Sequence, residues 1–331
     1  MSSVAVERVL RGLVRIDLEM EVLTGLLIRM PVHAQVYRIG GADLYPIVTK
    51  RMYTLDGQIT EVEVPLVPGS SLKGRMRGLL ELSLGKSLYS TDGRIWLHTR
   101  ILSGSSRMLL DEIERDITQR CEIDEVFGAP AIGLEQLADE YAKQYAIQRG
   151  ASRPSEEDRE KAWQEVRRRL APFLSVTRLL VDDMYPADAY VNALSENGSR
   201  LLSIADFLEE KSENRIDRVT SAADPRQVVR VKPGVVFGGT LKLLVFDLDK
   251  GYVKRNLELV ARGLRLVEET YLGASGSRGY GRVKFRNLRV TVARTSDPAL
   301  RYEKIVSFGN VDELLAGIEE VAKRVEQLLF Q

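Results

Sequence analysis

Residues 14–22, VRIDLEMEV, alternate strictly between apolar and charged side chains. The side chains of a β-strand point to opposite faces in turn, so this period of two predicts a strand with one buried and one solvated face. An isolated strand is not stable in water, and the chain must therefore supply partner strands for a sheet. The stretch between this strand and residue 70 is expected to be rich in loops. The apolar members of the pattern are Val14, Ile16, Leu18, Met20 and Val22.

Helices and further strands are predicted along the rest of the chain. Ser70 or Ser71 is expected to cap a helix that runs to about Leu84, because apolar residues recur there at helical spacing. A later strand changes the parity of its apolar residues, which predicts a bulge at Asn287. Strand, helix, distant strand, helix, strand is the order of an α+β fold with a ferredoxin-like or RRM-type core. The predicted elements after the first helix are residues 240–246 (strand), 253–269 (helix) and 282–292 (strand).

Two further helices are predicted within residues 134–170. Ser155 and Asp158 have the spacing of a capping box at the start of the second one. A last helix is predicted over residues 311–330, with Asn310 as its N-cap. The expected domain organisation is an RRM-like core of residues 1–128 and 173–331 and a helical insertion of residues 129–172.

The net charge of +1, from 48 basic and 47 acidic residues, conceals local basic clusters. Residues 69–77 carry three cations and no acid, and residues 273–288 carry four cations and no acid. Local fields of this kind attract polyanions. The single cysteine, Cys121, excludes an internal disulfide. Since no apolar run approaches the roughly 20 residues of a membrane span and the N-terminus lacks the pattern of a secretory signal, a cytoplasmic protein without membrane partners is expected.

The segment from Pro68 to Glu81, PGSSLKGRMRGLLE, places a glycine turn and two hydroxyls directly before a cation-rich helix. Free N–H groups at a helix start and the positive end of the helix dipole attract phosphate. A nucleotide P-loop is excluded, because Arg75 and Met76 stand where that motif requires Lys and Ser/Thr. An ordinary helix cap with a solvated basic face is the alternative. The candidate phosphate-binding residues here are Ser70, Ser71, Lys73, Arg75 and Arg77.

A second glycine-rich segment, GASGSRGYGR, covers residues 273–282. Four glycines and small hydroxyl residues let a phosphate chain approach the backbone closely, and arginines can pair with phosphates. The spacing differs from a dinucleotide-binding fingerprint and leads into a strand rather than a helix. A flexible hairpin is the alternative. The candidate residues here are Gly276, Ser277, Arg278, Gly279, Tyr280 and Arg282.

Together the two loops resemble those of the RAMP superfamily of CRISPR RNA-binding proteins, which carry a PGSSLKG-type helix start and a G-x-S-G-S-R-G-x-G loop. Residues 211–231, KSENRIDRVTSAADPRQVVRV, are similar to the thumb of the backbone subunit in type III-A CRISPR (Csm) effector complexes. The resemblance implies lid and thumb insertions in the core and makes the residues of both loops RNA-binding candidates. It adds Arg215, Arg218, Arg226 and Arg230 of the thumb to them.

The resemblance implies a subunit that binds a guide RNA and cuts the paired target RNA. It also implies assembly with copies of itself and with other subunits of the effector complex. In this family the thumb enters the guide–target duplex and displaces a base pair, and Val228 and Val229 are expected to help to separate the bases.

For cleavage, the resemblance points to Asp43, in Ile39-Gly-Gly-Ala-Asp-Leu-Tyr-Pro46. A carboxylate there can act as general base on a 2′-hydroxyl or hold a divalent ion, Mg or Mn, at the phosphate. Leu44 and Tyr45 replace a single residue of the family pattern. His33 is a second candidate for catalysis or RNA binding. The alternatives are a non-catalytic RNA-binding scaffold and a guide-processing endoribonuclease that uses His33.

Relatives often carry a Cys-x-x-Cys pair before Phe-Gly, where this chain has CEIDEVFG at residues 121–128. His98, Cys121 and Asp124 are candidate ligands of a structural zinc ion. The fourth ligand is expected to be Glu122 or Asp111. The alternative is a buried free cysteine.

Overall fold

The computed structural model describes residues 8–30, 44–90, 93–98, 107–128, 134–173, 176–196 and 198–331. Its centre is a six-stranded antiparallel sheet in the order β10-β9-β1-β8-β4, with β5 also paired to β8. The first strand, β1, lies between β8 and β9 and pairs antiparallel with both. The strands are β1 (Leu10–Val22), β4 (Leu179–Val181), β5 (Tyr185–Pro186), β8 (Val236–Phe246), β9 (Val283–Arg294) and β10 (Glu303–Asn310).

The alternation predicted for β1 is confirmed. Its apolar residues are buried on one face of the sheet, where three helices cover them. Gly263 lies at the contact between two of these helices, since a Cβ there would come within 3.0 Å of the Met76 side chain. The fold is therefore of the mixed α+β kind, with the charged face of β1 left open. The covering helices are α1 (Gly69–Ser83), α7 (Val253–Glu269) and α8 (Val311–Phe330).

The predicted bulge at Asn287 is also confirmed. Asp17 of β1 lies opposite Arg289 of β9, whereas Glu19 lies opposite Arg286, so β9 contains one extra residue at this point. Asn287 has φ +53° and donates a hydrogen bond to the Glu19 carboxylate at 2.7 Å. Asn tolerates the left-handed region better than most residues, which explains its place in the bulge.

The start of α1 differs from the prediction of a serine cap. The helix begins at Gly69 after Pro68, which is its N-cap and makes no side-chain capping bond. Ser70 and Ser71 are inside the first turn. The N–H of Gly69 instead donates to Asp183 at 2.8 Å. The glycine permits this approach, because a Cβ would lie 2.1 Å from the carbonyl oxygen of Val181.

Two hairpins lie outside the central sheet. The first one occupies a stretch that was expected to be mostly loop, and that expectation was wrong. Asp56 and Gly57 turn it with φ values of +47° and +74°, the conformation that a two-residue hairpin loop requires. The hairpins are β2 (Val48–Leu55) with β3 (Gln58–Pro65), and β6 (Leu208–Ile216) with β7 (Ala223–Val231).

The remaining helices include both that were predicted in the insertion. Ser155 and Asp158 form the predicted capping box at the start of α5, and Asn310 caps α8 by accepting from the Glu313 N–H at 2.9 Å. A small hydrophobic cluster joins the two helices of residues 134–148 and 156–169 with Ile113 of the helix of residues 107–118. None of the helices in the described ranges combines the length and hydrophobicity of a membrane span. The helices are α2 (Arg107–Thr118), α3 (Glu122–Phe127), α4 (Leu134–Gln148), α5 (Glu156–Arg169) and α6 (Asp188–Leu194).

Candidate nucleic-acid interface

The glycine-rich loop, residues 272–282, folds back against the segment that follows β1. The N–H of Gly281 donates to Gly25 O at 3.0 Å, and the N–H of Ala274 donates to Leu27 O at 2.8 Å. Gly281 has φ +74°, and a Cβ there would lie 2.0 Å from the carbonyl oxygen of Leu272. Only glycine fits that position. The loop is therefore held by its backbone rather than being a free hairpin.

Two arginines of this loop, both predicted RNA contacts, have exposed side chains. The Arg278 side chain is 58% exposed and donates to the hydroxyl of Ser275 at 2.6 Å. Arg282 is exposed as well. Gly276 and Ser277 form a short helical turn with Arg278. The loop thus presents cations to solvent from a fixed backbone, an arrangement that suits phosphate contacts.

Tyr280 differs from the other candidates of the loop, because its side chain is 0% exposed. Its hydroxyl donates to the Glu213 carboxylate of β6 at 2.5 Å. Burial and this hydrogen bond raise the pKa of Tyr280 to about 12. The ring lies inside the molecule, where no base can stack on it, and it contacts the hairpin instead.

The hairpin of β6 and β7 presents three of the predicted arginines at its far end. Arg215, Arg218 and Arg226 are exposed, and two of them lie near Asp224, at 3.3 Å from Arg215 and 3.6 Å from Arg226. The turn at the tip is held by hydrogen bonds to a side chain. The Asp217 carboxylate accepts from the N–H groups of Val219 and Thr220, and these bonds lower the pKa of Asp217.

The expectation that Val228 and Val229 separate bases was wrong. Both are buried at the base of the hairpin, Val228 against Leu27 and Tyr280. Arg230, another predicted RNA contact, is also mostly covered and donates to Glu209 at 2.8 Å. The hairpin exposes apolar residues at its tip instead, above all Val219, which is 91% exposed.

The three cations of α1 make hydrogen bonds to other groups of the protein. Lys73 donates to Leu179 O at 2.8 Å, and burial lowers its pKa. Arg75 donates to Tyr271 O at 2.9 Å and stacks on that ring at 4.0 Å. Arg77 donates to Glu81 at 2.7 Å and to Gly128 O at 2.5 Å. These residues tie α1 to its neighbours. Ser70 is exposed and Ser71 half-buried in the first turn.

The candidates Asp43 and His33 lie outside the described residues. Leu44, the next residue after Asp43 in the chain, is held against the hairpin. Its carbonyl accepts from the Val229 N–H at 3.0 Å, and it forms a parallel bridge with Val228. Leu44 also packs against the cluster of Leu27, Val228 and Tyr280. The start of the described segment 44–90, the hairpin and the glycine-rich loop therefore meet at one place.

The three predicted metal ligands come together. The ligand atoms of His98, Cys121 and Asp124 lie within 4.8 Å of one another. Nδ1 of His98 is 3.2 Å from the carbonyl oxygen of Ser87, which can only accept, so the proton belongs on Nδ1. The Nε2 lone pair then faces the Cys121 sulfur at 3.3 Å. A histidine oriented by a backbone carbonyl is typical of zinc ligands.

Neither Glu122 nor Asp111, the expected fourth ligands, belongs to this group of three. Glu122 pairs with Lys86 at 3.2 Å, and Asp111 is exposed. Asp116, which sequence reasoning missed, lies 3.6 Å from Nε2 of His98. Burial and the nearby Asp124 raise the pKa of the Cys121 thiol. One nitrogen, one sulfur and two carboxylates are a donor set that suits zinc.

The open face of the sheet forms a groove of about 1200 Å³. Five carboxylates and three cations line it, so the groove carries net negative charge. A lining of this charge is less suited to phosphate than the exposed arginines of the loop and the hairpin are. A nucleic acid is therefore favoured at the glycine-rich loop and hairpin rather than on this face. The carboxylates are Asp17, Glu19, Asp182, Asp183 and Asp188.

A model of the RAMP superfamily matches residues 53–284, more than half of the chain. "CRISPR system Cms endoribonuclease Csm3" of Methanothermobacter thermautotrophicus is 30% identical over 274 residues, which are 81% of this chain and 84% of that protein. The chain belongs to the Csm3 family of the RAMP superfamily.

Other members of the Csm3 family match over different lengths. The protein of the same name from Streptococcus thermophilus is 38% identical over 104 residues, which are 31% of this chain and 46% of that protein. The crystal structure of Methanopyrus kandleri Csm3 aligns with a TM-score of 0.52 at 19% identity, over 96% of this chain and 98% of that one. This structure shares the fold with the present chain.

Proposed function

We propose that this chain is an RNA-binding backbone subunit of a type III-A CRISPR effector complex. It holds a guide RNA and, within the complex, cuts the target RNA that pairs with the guide. Its partners are the two RNAs, copies of itself along the guide and other effector subunits, in the cytoplasm. The observation that carries the proposal is the meeting of the glycine-rich loop, the hairpin and Leu44 in a chain of the Csm3 family.

The exposed arginines of this region support sequence-independent binding. Arg278 and Arg282 lie on the loop, and Arg215, Arg218 and Arg226 lie on the far half of the hairpin. Contacts to phosphates fix the register of a strand without reading its bases, and base pairing between guide and target then supplies the specificity. Binding of this kind weakens steeply as salt concentration rises.

Two finer statements about the fold belong to the proposal. We take the core as RRM-like, because β1, α1, β4, β8, α7 and β9 occur in the order strand, helix, strand, strand, helix, strand, with insertions between them, and the four strands belong to one antiparallel sheet. The hairpin of β6 and β7 is taken as the thumb. The domains are then the core of residues 1–128 and 173–331 and the helical insertion of residues 129–172.

For cleavage, we propose Asp43 as general base for the target 2′-hydroxyl or as holder of a Mg or Mn ion. The 2′-hydroxyl gives its proton to the carboxylate and its oxygen attacks the neighbouring phosphorus; the bond to the 5′-oxygen breaks, that oxygen takes a proton from water, and a cyclic phosphate remains. A divalent ion there would supply charge stabilisation at the phosphate. Separately, His98, Cys121 and Asp124 would hold a structural zinc ion that joins α3 to residues 93–98, and Asp116 of α2, 3.6 Å from Nε2 of His98, would be its fourth ligand.

The test is target cleavage by the reconstituted complex with Asp43→Ala. We expect cutting to be lost while guide and target binding are retained, and Asp139→Ala, a change of a 59% exposed aspartate on α4, serves as a matched control. Undiminished cutting with Asp43→Ala would favour the non-catalytic scaffold. Processing of a guide precursor by the isolated chain, abolished by His33→Ala, would favour the guide-processing nuclease.

A further inference from the structure

Tyr280 connects three segments that approach the proposed RNA path. Its hydroxyl bonds to Glu213 of β6, and its ring packs against Val228 of β7 and Leu27. Leu44 packs against the same cluster. A buried tyrosine with a bonded hydroxyl fixes both the position of its ring and the direction of its partner.

Cations surround the ring. The Lys211 Nζ lies 4.5 Å and the Arg230 guanidinium carbon 4.6 Å from its centroid, distances that are attractive for a cation and an aromatic face. Arg230 reaches the ring past Gly25, where a Cβ would lie 2.1 Å from its Nε. Both strands of the hairpin therefore contact the Tyr280 ring, β6 through Lys211 and β7 through Arg230.

Glu213 is the second half of this contact. It accepts from Tyr280, and the Arg278 Nε of the glycine-rich loop lies 3.8 Å from its other oxygen. The Tyr280 hydroxyl and the nearby cations lower the pKa of Glu213. The carboxylate therefore stays ionised at neutral pH. It belongs to the hairpin and contacts two residues of the glycine-rich loop, Tyr280 and Arg278.

The base of the hairpin is thus fixed, whereas its far end is solvent-exposed. From the Tyr280 cluster outward, β6 and β7 run as a two-stranded ribbon to the tip at Val219. A rotation at the base would displace the tip further than the base, because the tip lies farther from the contact with Tyr280. The same cluster holds Leu44, so the base of the hairpin also fixes the hairpin relative to Leu44.

We propose that Tyr280 is a positioning residue for target cleavage. It locks the hairpin to the glycine-rich loop and to Leu44, and so sets where along the bound strand the cut falls. This inference rests on the proposed function, but the lock itself can be measured without any cleavage.

The test compares two tyrosine variants of the full chain. Tyr280→Phe keeps the ring and removes the bond to Glu213. Tyr53→Phe is the matched control. Tyr53 of β2 is also buried, and its hydroxyl donates to Pro186 O at 3.0 Å rather than to the hairpin of β6 and β7. Hydrogen exchange of the amides in β6 and β7 reports the lock, and mapping of cut positions in the reconstituted complex reports positioning.

With Tyr280→Phe, we expect exchange protection at the base of the hairpin to fall about tenfold, the effect of losing one hydrogen bond to a charged acceptor. Cut positions should spread to neighbouring nucleotides or the cutting rate should fall, while guide binding at fixed salt is unchanged. Tyr53→Phe should change thermal stability without either effect. Unchanged exchange, or unchanged cutting despite lost protection, would overturn the inference. Absence of cutting by the wild-type complex would instead refute the proposed function.

Discussion

Salt dependence of RNA binding separates the cations that face solvent from those that hold the fold. Five predicted RNA contacts are exposed: Arg215, Arg218, Arg226, Arg278 and Arg282. For a single strand, log K falls with log salt by about 0.7 for each neutralised phosphate, so one chain with five such contacts gives a slope of about −3.5. Affinity then drops about 100-fold between 50 and 200 mM salt.

Arg278→Ala should reduce this slope by about 0.7, so that the same change in salt costs only about 50-fold in affinity. Arg77→Ala should leave the slope unchanged and destabilise the fold. Arg77 is 19% exposed, and its removal leaves the Glu81 carboxylate, 4% exposed, without its partner. Breaking a pair of this kind costs about 3–5 kcal/mol.

The assay is fluorescence anisotropy of labelled single-stranded RNA of arbitrary sequence at several salt concentrations, with denaturant unfolding measured in parallel. Arg301→Ala is the matched control, because Arg301 is exposed in the connection between β9 and β10. Two results would refute this reasoning. One is a changed salt slope with Arg77→Ala at unchanged stability, and the other is an unchanged salt slope with Arg278→Ala.

Two further predictions concern the metal cluster and the hairpin. Purified chain should retain about one zinc ion after desalting, measured by elemental analysis. Cys121→Ser should lose the zinc and also thermal stability, because the sulfur ligand is removed. Equal zinc content in both proteins would contradict this assignment. The lowered pKa of Glu213 stabilises the contact with Tyr280 at pH values above about 4.5, and that stabilisation is lost as pH falls through the lowered pKa. The near-ultraviolet circular dichroism of the tyrosines should therefore change in acid for the wild type and less for Tyr280→Phe, and identical titrations would argue against the contact.

Local pattern was sufficient to predict the elements whose partners are near in sequence or whose periodicity is strong. The strand β1, the helices α7 and α8 and the bulge at Asn287 follow from side-chain spacing alone. The hairpin of β2 and β3 was missed although Asp56-Gly57 is a strong signal for a two-residue turn. In that case the information was present in the sequence.

The candidate site was less predictable, because contacts between distant residues decide which cations are exposed. The partners of Lys73 and Arg75 lie at Leu179 and Tyr271, more than 100 residues away. A loop tyrosine between two glycines has no sequence feature that distinguishes a stacking ring from a buried one. The burial of Tyr280 depends on the hairpin, which belongs to a different part of the chain.

The helices α2, α4 and α5 share a small hydrophobic core, which is separate from the core under the sheet. Leu137 and Val166, for example, belong to this small core and not to the core under the sheet. A lobe built in this way can be lengthened, shortened or exchanged during evolution without altering strand register. Its outer surface is consequently free to diverge, so that related chains can acquire different attachments while they keep the same central scaffold.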